Sequence, residues 1–426
     1  MRIRQIGLAG LYIFAFSAFY DKAGGLLGLL LMLIAMGFCA REVWNDYKFD
    51  PMVWTVAVFA LYLVLHAYIS SVEFPQTSEN QWTEARNWGR LIVFLILAWW
   101  MRGEPRVIFW CLTLALLGLF AKMLVDTQAY DITRMLDTQR TGFAYAIGFS
   151  SILSSAGLIT TLIFTPRVLK RPNPPALRIL VIVAWVAAIL IMLQMQITAA
   201  SRGTWLATSV VFVISVVALS RSLAKNILLY GSLGIILILL VIQNSEMLDK
   251  RVSDNKEGET FSLLMQGSSL NEIPISDSVS IRLHLWHYGL KRWLERPLFG
   301  WGPGTEITKH FSPKDFTDKL DKRQSEKLAM HPHLHNGFIT ILTKLGIVGA
   351  FLLALILFFV IRQMCIAYKK QLIPTDIIAA AAAVILVLLL SNLTQSRFAI
   401  LDFQFLGVLA FAVAYTSRYS RPPVPQ

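Results

Sequence analysis

Six of the seven histidines in this 426-residue chain lie between His284 and His335, and the last of them is followed by Asn336 and a long apolar run. A histidine side chain has an ordinary pKa of about 6.5 and can accept a proton from a hydroxyl group at neutral pH. We therefore expect His335 to act as a general base. Its neighbours Asn336 and His333 are lower-ranked candidates for binding the substrate.

Three of these histidines alternate, as His331, His333 and His335, and an extended backbone would place all three on one face. Such a set is also a plausible start for a zinc or copper site. This part of the chain has no cysteine, and the nearest acidic residue is Glu326. We therefore favour a single catalytic histidine, with no metal and no other cofactor.

Two arginines occupy positions that suit an anionic ligand. Arg202 lies in TAASRGTW, a short connection between two apolar runs, and Arg282 lies on the apolar side of an amphipathic helix predicted over 278–295. A guanidinium group in such a place pairs well with phosphate or carboxylate. The alternatives are an interfacial anchor for Arg202 and a structural salt bridge for Arg282. Arg86 and Arg90, at the start of another predicted span, are weaker candidates for the same role.

Two further features each have more than one interpretation. The glycine-rich turn at Gly300–Gly304 either presents backbone amides to a phosphate or only redirects the chain. Lys344 lies within a predicted span, and we favour plain interfacial placement; the alternatives are that it faces a polar cavity or pairs with an acid such as Asp402. Neither feature is assigned a catalytic role.

Helices in a membrane must position these residues. The chain is 56% hydrophobic with a mean hydropathy of +0.58, and apolar runs recur along most of its length. This composition predicts an all-α polytopic membrane protein, because only helices and closed barrels satisfy their backbone polar groups within a bilayer. About twelve transmembrane helices are predicted, at roughly 6–20, 23–40, 51–70, 88–101, 106–125, 143–165, 177–197, 204–219, 226–243, 336–361, 376–391 and 399–415.

The predicted organisation is nine spans in 1–243, one large polar loop over 244–335, and three spans with a short tail in 336–426. With a cytoplasmic amino terminus and alternating spans, seventeen Lys or Arg but only five acidic residues face the cytoplasm, whereas the loop carries thirteen of each sign. This positive-inside pattern predicts a bacterial inner-membrane protein with both termini in the cytoplasm and the loop in the periplasm. It also explains the formal net charge of +13 without nucleic acid as a partner.

Several catalytic motifs are missing from the sequence. It contains no Walker A, Gly-x-Ser-x-Gly, His-Glu-x-x-His or Asp-x-Asp motif. These absences disfavour an ATPase, a serine hydrolase, a common zinc protease and an enzyme that holds a sugar diphosphate through a divalent cation.

The order of the polar motifs resembles that of a known family. His335-Asn336, nine residues and then Gly346 resemble the signature of bacterial O-antigen ligases, which belong to a wider superfamily of O-antigen ligases and polymerases. Ser201-Arg202-Gly203 and Arg282, followed by Pro297–Gly304, are similar to its other recurrent parts. Twelve spans with one large loop before the tenth are also similar to the family's topology, which is described as GT-C-like.

This resemblance implies transfer of a polysaccharide from an undecaprenyl diphosphate donor to a lipid A–core acceptor, among membrane lipids, without ATP or metal. It implies diphosphate binding by Arg202 and Arg282 and activation of the acceptor by His335. The expected reaction is an inverting glycosyl transfer with the active site facing the periplasm.

Three alternatives remain open. An O-antigen polymerase would use similar chemistry but is expected to have two sizeable periplasmic loops, and a protein O-oligosaccharyltransferase is expected to extend further beyond its last span. A flippase or other transporter of lipid-linked sugars is the alternative outside enzymes, and it is expected to have charged or broken helices near the middle of the membrane.

Overall fold

The computed structural model of the chain describes residues 2–126, 141–170, 174–218, 256–306, 328 and 333–420. Within these ranges the secondary structure consists of helices joined by turns, with no strand. The chain is thus an all-helical polytopic membrane protein, as its composition predicts.

The described helices are numbered in chain order. They are α1 (Arg2–Tyr20), α2 (Lys22–Phe38), α3 (Ala40–Tyr47), α4 (Pro51–Glu73), α5 (Ser78–Gly89), α6 (Phe94–Met101), α7 (Pro105–Asp126), α8 (Ile147–Leu169), α9 (Pro175–Thr198), α10 (Arg202–Ala218), α11 (Lys256–Met265), α12 (Ser278–Glu295), α13 (Gly337–Lys369), α14 (Thr375–Ser391) and α15 (Leu401–Tyr415). Short 3₁₀ turns lie at Pro75–Thr77, Arg90–Val93, Leu270–Glu272 and Thr416–Tyr419.

Six of the described helices, α1, α4, α7, α8, α9 and α13, are long and apolar enough to cross a membrane. The count becomes seven if α2 and α3, which meet at 92°, form one broken span, and α14 is a shorter apolar helix. The predicted span at 226–243 lies outside the described residues. The total of twelve spans, the extent of the large loop and the division at 243 and 335 therefore stay predictions.

Four ion pairs gather at the end of the bundle where α4 and α14 begin. All eight of their residues belong to the set predicted to face the cytoplasm, and they join Arg4 to Glu104, Arg102 to Glu42, Arg167 to Asp376 and Arg418 to Asp50. Asp50 is fully buried and also accepts hydrogen bonds from the hydroxyl groups of Tyr415 and Tyr419. The alternation of helix directions predicted from sequence is consistent with this clustering.

The long helix α13 is interrupted at Gly346, which has φ 63° and ψ −170°. The break removes two helical hydrogen bonds, and residues 297–302 replace both of them. The amides of Trp301 and Gly302 donate to the carbonyls of Thr343 and Lys344 at 2.9 and 3.1 Å. In return, the amides of residues 347 and 348 donate to the carbonyls of residues 297 and 298 at 2.9 and 3.1 Å. All four freed backbone groups are thereby satisfied, as an apolar environment requires.

This exchange decides between the two interpretations of the glycine-rich turn. The amides of Trp301 and Gly302 are committed to α13, and the amide of Gly304 donates to the side-chain oxygen of Gln81 at 2.7 Å. The turn therefore holds helices together with these amides, and the interpretation in which they bind a phosphate is wrong. Gly300 fits because it has φ 75° and a Cβ there would lie 2.7 Å from the Lys344 carbonyl.

Two side chains of α4 also bind the exposed carbonyls at the break. The hydroxyl group of Tyr62 donates to the Leu345 carbonyl at 2.5 Å, and Nε2 of His66 lies 3.1 Å from the Lys344 carbonyl. His66 is the one histidine outside the histidine-rich segment, and it is 7% exposed. A histidine within an apolar span needs a polar partner, and the broken helix supplies it.

Helix α12 has the bounds predicted for the amphipathic helix, and it packs on the start of α13. Leu285 and Tyr288 on α12 form a buried cluster with Leu334. Asp277 is the N-cap of α12 and accepts from the amides of residues 279 and 280. The cluster fixes the chain immediately before His335.

Replacing Gly346 with alanine tests the helix break. Only glycine adopts its φ and ψ readily, and a Cβ would overlap the carbonyl of Leu298. We expect Gly346→Ala to lower the free energy of unfolding by about 1–3 kcal/mol from backbone strain alone. The measurement is thermal or denaturant unfolding of the purified protein in detergent.

Gly37→Ala is the matched control, because Gly37 lies in α2 and a Cβ there meets no atom within 4 Å. A helical Gly to Ala change stabilises by up to about 1 kcal/mol. Equal stability of the two variants would contradict the role given to Gly346.

Candidate functional site

The backbone of His335 is in the left-handed region, with φ 53°. This conformation is uncommon outside glycine and is retained only where the surroundings impose it. Leu334 on one side is 2% exposed within the cluster beneath α12. On the other side, the amide of Gly337 donates to the Asn392 carbonyl at 2.7 Å. Two fixed neighbours thus force a turn at His335, whose side chain is half-buried.

Asn336 joins the start of α13 to the next part of the site. Its side-chain oxygen accepts from the amides of Phe338 and Ile339 at 3.0 and 3.1 Å and so caps α13. Its side-chain nitrogen donates to the Leu393 carbonyl at 3.2 Å. This structural use is observed, whereas the prediction that Asn336 binds substrate stays a prediction.

The connection between α14 and α15, residues 392–400, is the centre of the site and is called the α14–α15 loop. Asn392 is fully buried: its carbonyl accepts from Gly337, and its side-chain oxygen accepts from the amide of Arg397 at 2.9 Å. A contact of 3.0 Å between the hydroxyl groups of Ser396 and Thr340 adds a third link to α13. Sequence reasoning missed this loop because its role depends on contacts with distant helices.

The same loop contacts the start of α10. Gln395 donates to the Thr204 hydroxyl at 3.3 Å, and a Cβ added to Gly203 would overlap the side chain of Thr394. Arg202 is the first residue of α10, separated from α9 by only three residues, as the short connection predicted. Its side chain is half-buried. The loop therefore brings the segment that contains Arg202 and the segment that contains His335 to one place.

Arg397 adds a cation that the sequence analysis did not select. Its Nε donates to the side-chain oxygen of Gln395 at 3.1 Å, and its guanidinium lies against Gly148 at the start of α8. It is half-buried. The signal was available, because Arg397, like Arg202, lies in a short polar connection between two apolar runs.

Helix α5 reaches the site from the other side of the α14–α15 loop. Trp88 stacks near Phe398 with ring centroids 6.5 Å apart, and Gln404 donates to the Asn87 carbonyl at 2.6 Å. Arg86 is exposed, and Arg90 is half-buried and donates to the Asn87 side chain at 2.8 Å. The two arginines therefore lie beside the loop, and their predicted role in anion binding stays a prediction.

Arg282 is held by its own helix. Its Nη1 donates to the carbonyl and hydroxyl oxygens of Ser278 at 3.2 and 3.3 Å, and the side chain is half-buried. Because Leu285 on α12 packs in one cluster with Leu334 and with Ile339 at the start of α13, Arg282 belongs to the helix that supports the His335 turn. Its predicted binding of a diphosphate stays a prediction.

The other histidine candidates separate in the structure. The side chain of His333 is exposed, but many protein atoms surround it. This partial desolvation lowers its pKa, and the positive charges of Lys344 and Arg397 lower it further. His331 lies outside the described residues. Among the residues that are described, no three His, Cys, Asp or Glu side chains form a group that could hold a metal ion. The left-handed turn at His335 also breaks the extended backbone on which the three-histidine face depended.

Lys344 faces a polar cavity, which was one of its interpretations. Its Nζ lies 3.7 Å from Oε2 of Glu84 on α5, a residue that sequence reasoning did not select. The side chain of Asp402 lies outside the part of the chain that the structure describes, so the suggested pairing with Asp402 stays a prediction. The cavity has a volume of about 140 Å³ and also contacts His333 and Thr340. A lysine within a span thus meets both a charged partner and a polar space.

The described helices include several that are long and apolar enough to span a membrane, and the polar candidate site lies at their ends. The chain therefore belongs to the class of polytopic membrane proteins with a site at the membrane boundary. Residues 187–354 match the family model described as O-antigen ligase. This segment belongs to the O-antigen ligase superfamily, which confirms the resemblance seen in the sequence. No curated protein matches the chain significantly. The matched segment contains Arg202, Arg282 and His335, whereas the α14–α15 loop and α5 lie outside it.

Asn336 provides a test of the link between α13 and the loop. Asn336→Ala removes the side-chain oxygen that accepts both cap hydrogen bonds and also removes the bond to Leu393, and we expect a loss of about 0.5–2 kcal/mol in the free energy of unfolding. Asn336→Asp keeps the acceptors and loses only the donor, so its loss should be smaller. Unfolding in detergent measures both, and equal losses would mean that capping is not the main contribution.

The pH dependence of stability tests the anchoring of α12. His284 is 3% exposed with Nε2 3.0 Å from the Ile273 carbonyl, and its burial lowers its pKa. A histidine with a lowered folded-state pKa stabilises the fold while neutral, so its contribution is full above about pH 6.5 and is lost as the pH falls toward the folded-state pKa.

We expect His284→Gln to flatten the fall in melting temperature between about pH 7 and pH 5, relative to the wild-type protein. His287→Gln on the exposed side of the same helix is the control and should change the profile less than His284→Gln, because burial is the main cause of the lowered pKa of His284 and the nearby His287 is a smaller one. Identical slopes for the wild-type protein and His284→Gln would contradict the assignment.

Proposed function

We propose that the protein is an O-antigen ligase, an inverting glycosyltransferase that moves O-antigen polysaccharide from undecaprenyl diphosphate to lipid A–core. The family match supports a reaction of this superfamily. The observation that carries the proposal is the α14–α15 loop, which holds the start of α10 and the turn at His335 together. The segment proposed to bind the anion and the turn that holds the proposed proton acceptor thus contact the same loop.

The chemistry follows from these positions. An acceptor hydroxyl oxygen bonds to the anomeric carbon of the donor sugar while the bond from that carbon to the diphosphate oxygen breaks. The electron pair of the broken bond leaves with the diphosphate, and the hydroxyl proton moves to the imidazole of His335. A single displacement inverts the anomeric centre, so a product with retained configuration would contradict it.

Arginine charge near the departing diphosphate lowers the barrier, because the leaving oxygen gains negative charge as the bond breaks. We assign this role to Arg202 and Arg282, with Arg86 and Arg90 as weaker contributors. We assign the same role to Arg397, because it lies in the α14–α15 loop, which contacts the segment that contains Arg202. No ATP or metal is needed in this scheme, and loss of turnover on adding a chelator would count against it.

The proposed setting is a bacterial inner membrane crossed about twelve times, in a GT-C-like architecture. Both termini lie in the cytoplasm, and the site and the large loop face the periplasm. The support is the distribution of charge along the sequence together with the ion pairs at the end of the bundle where α4 and α14 begin.

The alternatives are an O-antigen polymerase or a protein O-oligosaccharyltransferase of the same superfamily, and a transporter. The interrupted helix α13 is a feature expected of transporters. Its freed backbone groups, however, are bonded to residues 297–302 and to α4, so those groups do not form an open ion or substrate site. This observation favours an enzyme.

Reconstitution distinguishes these functions. Purified protein in liposomes is supplied with lipid-diphosphate glycan and lipid A–core, without ATP. We expect ligated lipopolysaccharide. Lengthening of the glycan without use of the acceptor would indicate a polymerase, transfer to an added protein would indicate an oligosaccharyltransferase, and movement across the bilayer alone would indicate a transporter.

Substitution of His335 tests the catalytic assignment. His335→Asn removes the base but suits a left-handed backbone, so the fold should remain. We expect the transfer rate to fall by about 10²–10⁴-fold, the usual contribution of general base catalysis. His287→Asn, on the exposed side of α12, should leave the rate unchanged. Wild-type transfer by the folded His335→Asn protein would refute the role of His335.

A further inference from the structure

The polar cavity beside Lys344 is distinct in chemistry from the arginine-bearing part of the site. Its volume is about 140 Å³, and its lining includes two carboxylates, Glu84 and Glu306, together with His333, Thr340 and Asn80. Hydroxyl, amide, carboxylate and ammonium groups thus face one small space. Such a mixture of donors and acceptors suits a molecule with several hydroxyl groups.

The walls of the cavity are held by buried hydrogen bonds. Gln81, which is fully buried, donates to the Thr305 hydroxyl at 3.0 Å and accepts from the Gly304 amide at 2.7 Å. These bonds fix α5 against the segment that leads to Glu306. The third wall is α13. Residues 297–302, which precede Gly304 in the same segment, make the hydrogen bonds that bridge the break in α13. The cavity is therefore built by three elements that hydrogen bonds fix in place.

The charge of the cavity is unfavourable for an anion. Among the described residues that line it, Glu84 and Glu306 carry two negative charges and Lys344, which lies 3.7 Å from Glu84, carries one positive charge. The lowered pKa of His333 keeps that imidazole mainly neutral at pH 7. Carboxylates repel phosphate or acidic sugars but accept strong hydrogen bonds from hydroxyl groups.

The position of the cavity relates it to the proposed base. His333 and Leu334 line the cavity, and His335 is the next residue, in the turn that the α14–α15 loop fixes. A sugar ring held in the cavity would thus lie beside the proposed proton acceptor. Arg202 on α10 and Arg397 in the α14–α15 loop would then bind the anionic part of the donor.

We propose that this cavity binds the terminal, uncharged sugar ring of the acceptor, with Glu84 and Glu306 accepting hydrogen bonds from its hydroxyl groups. The proposal rests on the proposed glycosyl transfer and adds to it the acceptor site and its selectivity. A ring without phosphate or carboxylate groups is accepted, and an anionic ring is rejected.

The test uses Glu84→Gln and Glu306→Gln, which keep the side-chain shape and remove one negative charge each. Glu79→Gln is the control, because Glu79 is exposed in the first turn of the same helix α5. In the reconstituted system we expect each cavity variant to raise the KM for lipid A–core by about tenfold or more, as loss of a charge-assisted hydrogen bond implies. The KM for the donor should not change.

A direct binding measurement separates this inference from the proposed function. The probe is soluble neutral core oligosaccharide freed from lipid A, titrated into the full-length protein in detergent. Wild-type protein and Glu79→Gln should bind it equally, and each cavity variant should bind it about tenfold more weakly. The variants should also discriminate less against an oligosaccharide phosphorylated on its terminal sugar.

Binding that depends on Glu84 and Glu306, without any transfer, would contradict the proposed ligase and leave the sugar site intact. Transfer with an unchanged acceptor KM in both variants would overturn the sugar site and leave the ligase intact. An equal rise in the KM for donor and acceptor would also overturn it, because that result indicates general disruption of the structure.

Discussion

The exchange of backbone hydrogen bonds between helix α13 and residues 297–302 is the constraint on which the site depends. A span broken at Gly346 leaves polar backbone groups that cannot remain unsatisfied in an apolar environment, and the inserted segment satisfies them. The same segment continues into Gly304 and Thr305, which bond to Gln81 on α5. One irregularity in α13 thus positions the turn, α5 and the cavity between them.

The proposed functional groups occupy two environments of opposite charge that meet at the start of α13. On one side, the α14–α15 loop groups Arg202 and Arg397, which we propose stabilise the charge of a leaving diphosphate. On the other side, carboxylates line the polar cavity. His335 lies between them in a strained backbone conformation that both its neighbours impose. A transferase joining an anionic donor to a hydroxyl acceptor needs this separation of charge.

Sequence alone predicted the membrane helices, the bounds of α12, the short connection before Arg202 and the family, because these depend on local periodicity and on motif order. It did not predict the break in α13, since the apolar run continues through Gly346 and only the contact with residues 297–302 interrupts the helix. The pairing of Lys344 with Glu84 and the role of Asn392 were missed for the same reason. Both depend on partners more than fifty residues away in sequence.

The α14–α15 loop has a consequence for how the protein is made. A chain emerging from the ribosome presents Arg202 and then His335 well before residue 392 is synthesised. Until α14 and α15 insert and Asn392 bonds to Gly337, the described hydrogen bonds that link those two segments through the α14–α15 loop cannot form. The nascent chain therefore carries the proposed reactive residues before the proposed site is assembled, and the site is complete only after α14, the α14–α15 loop and α15 are in place.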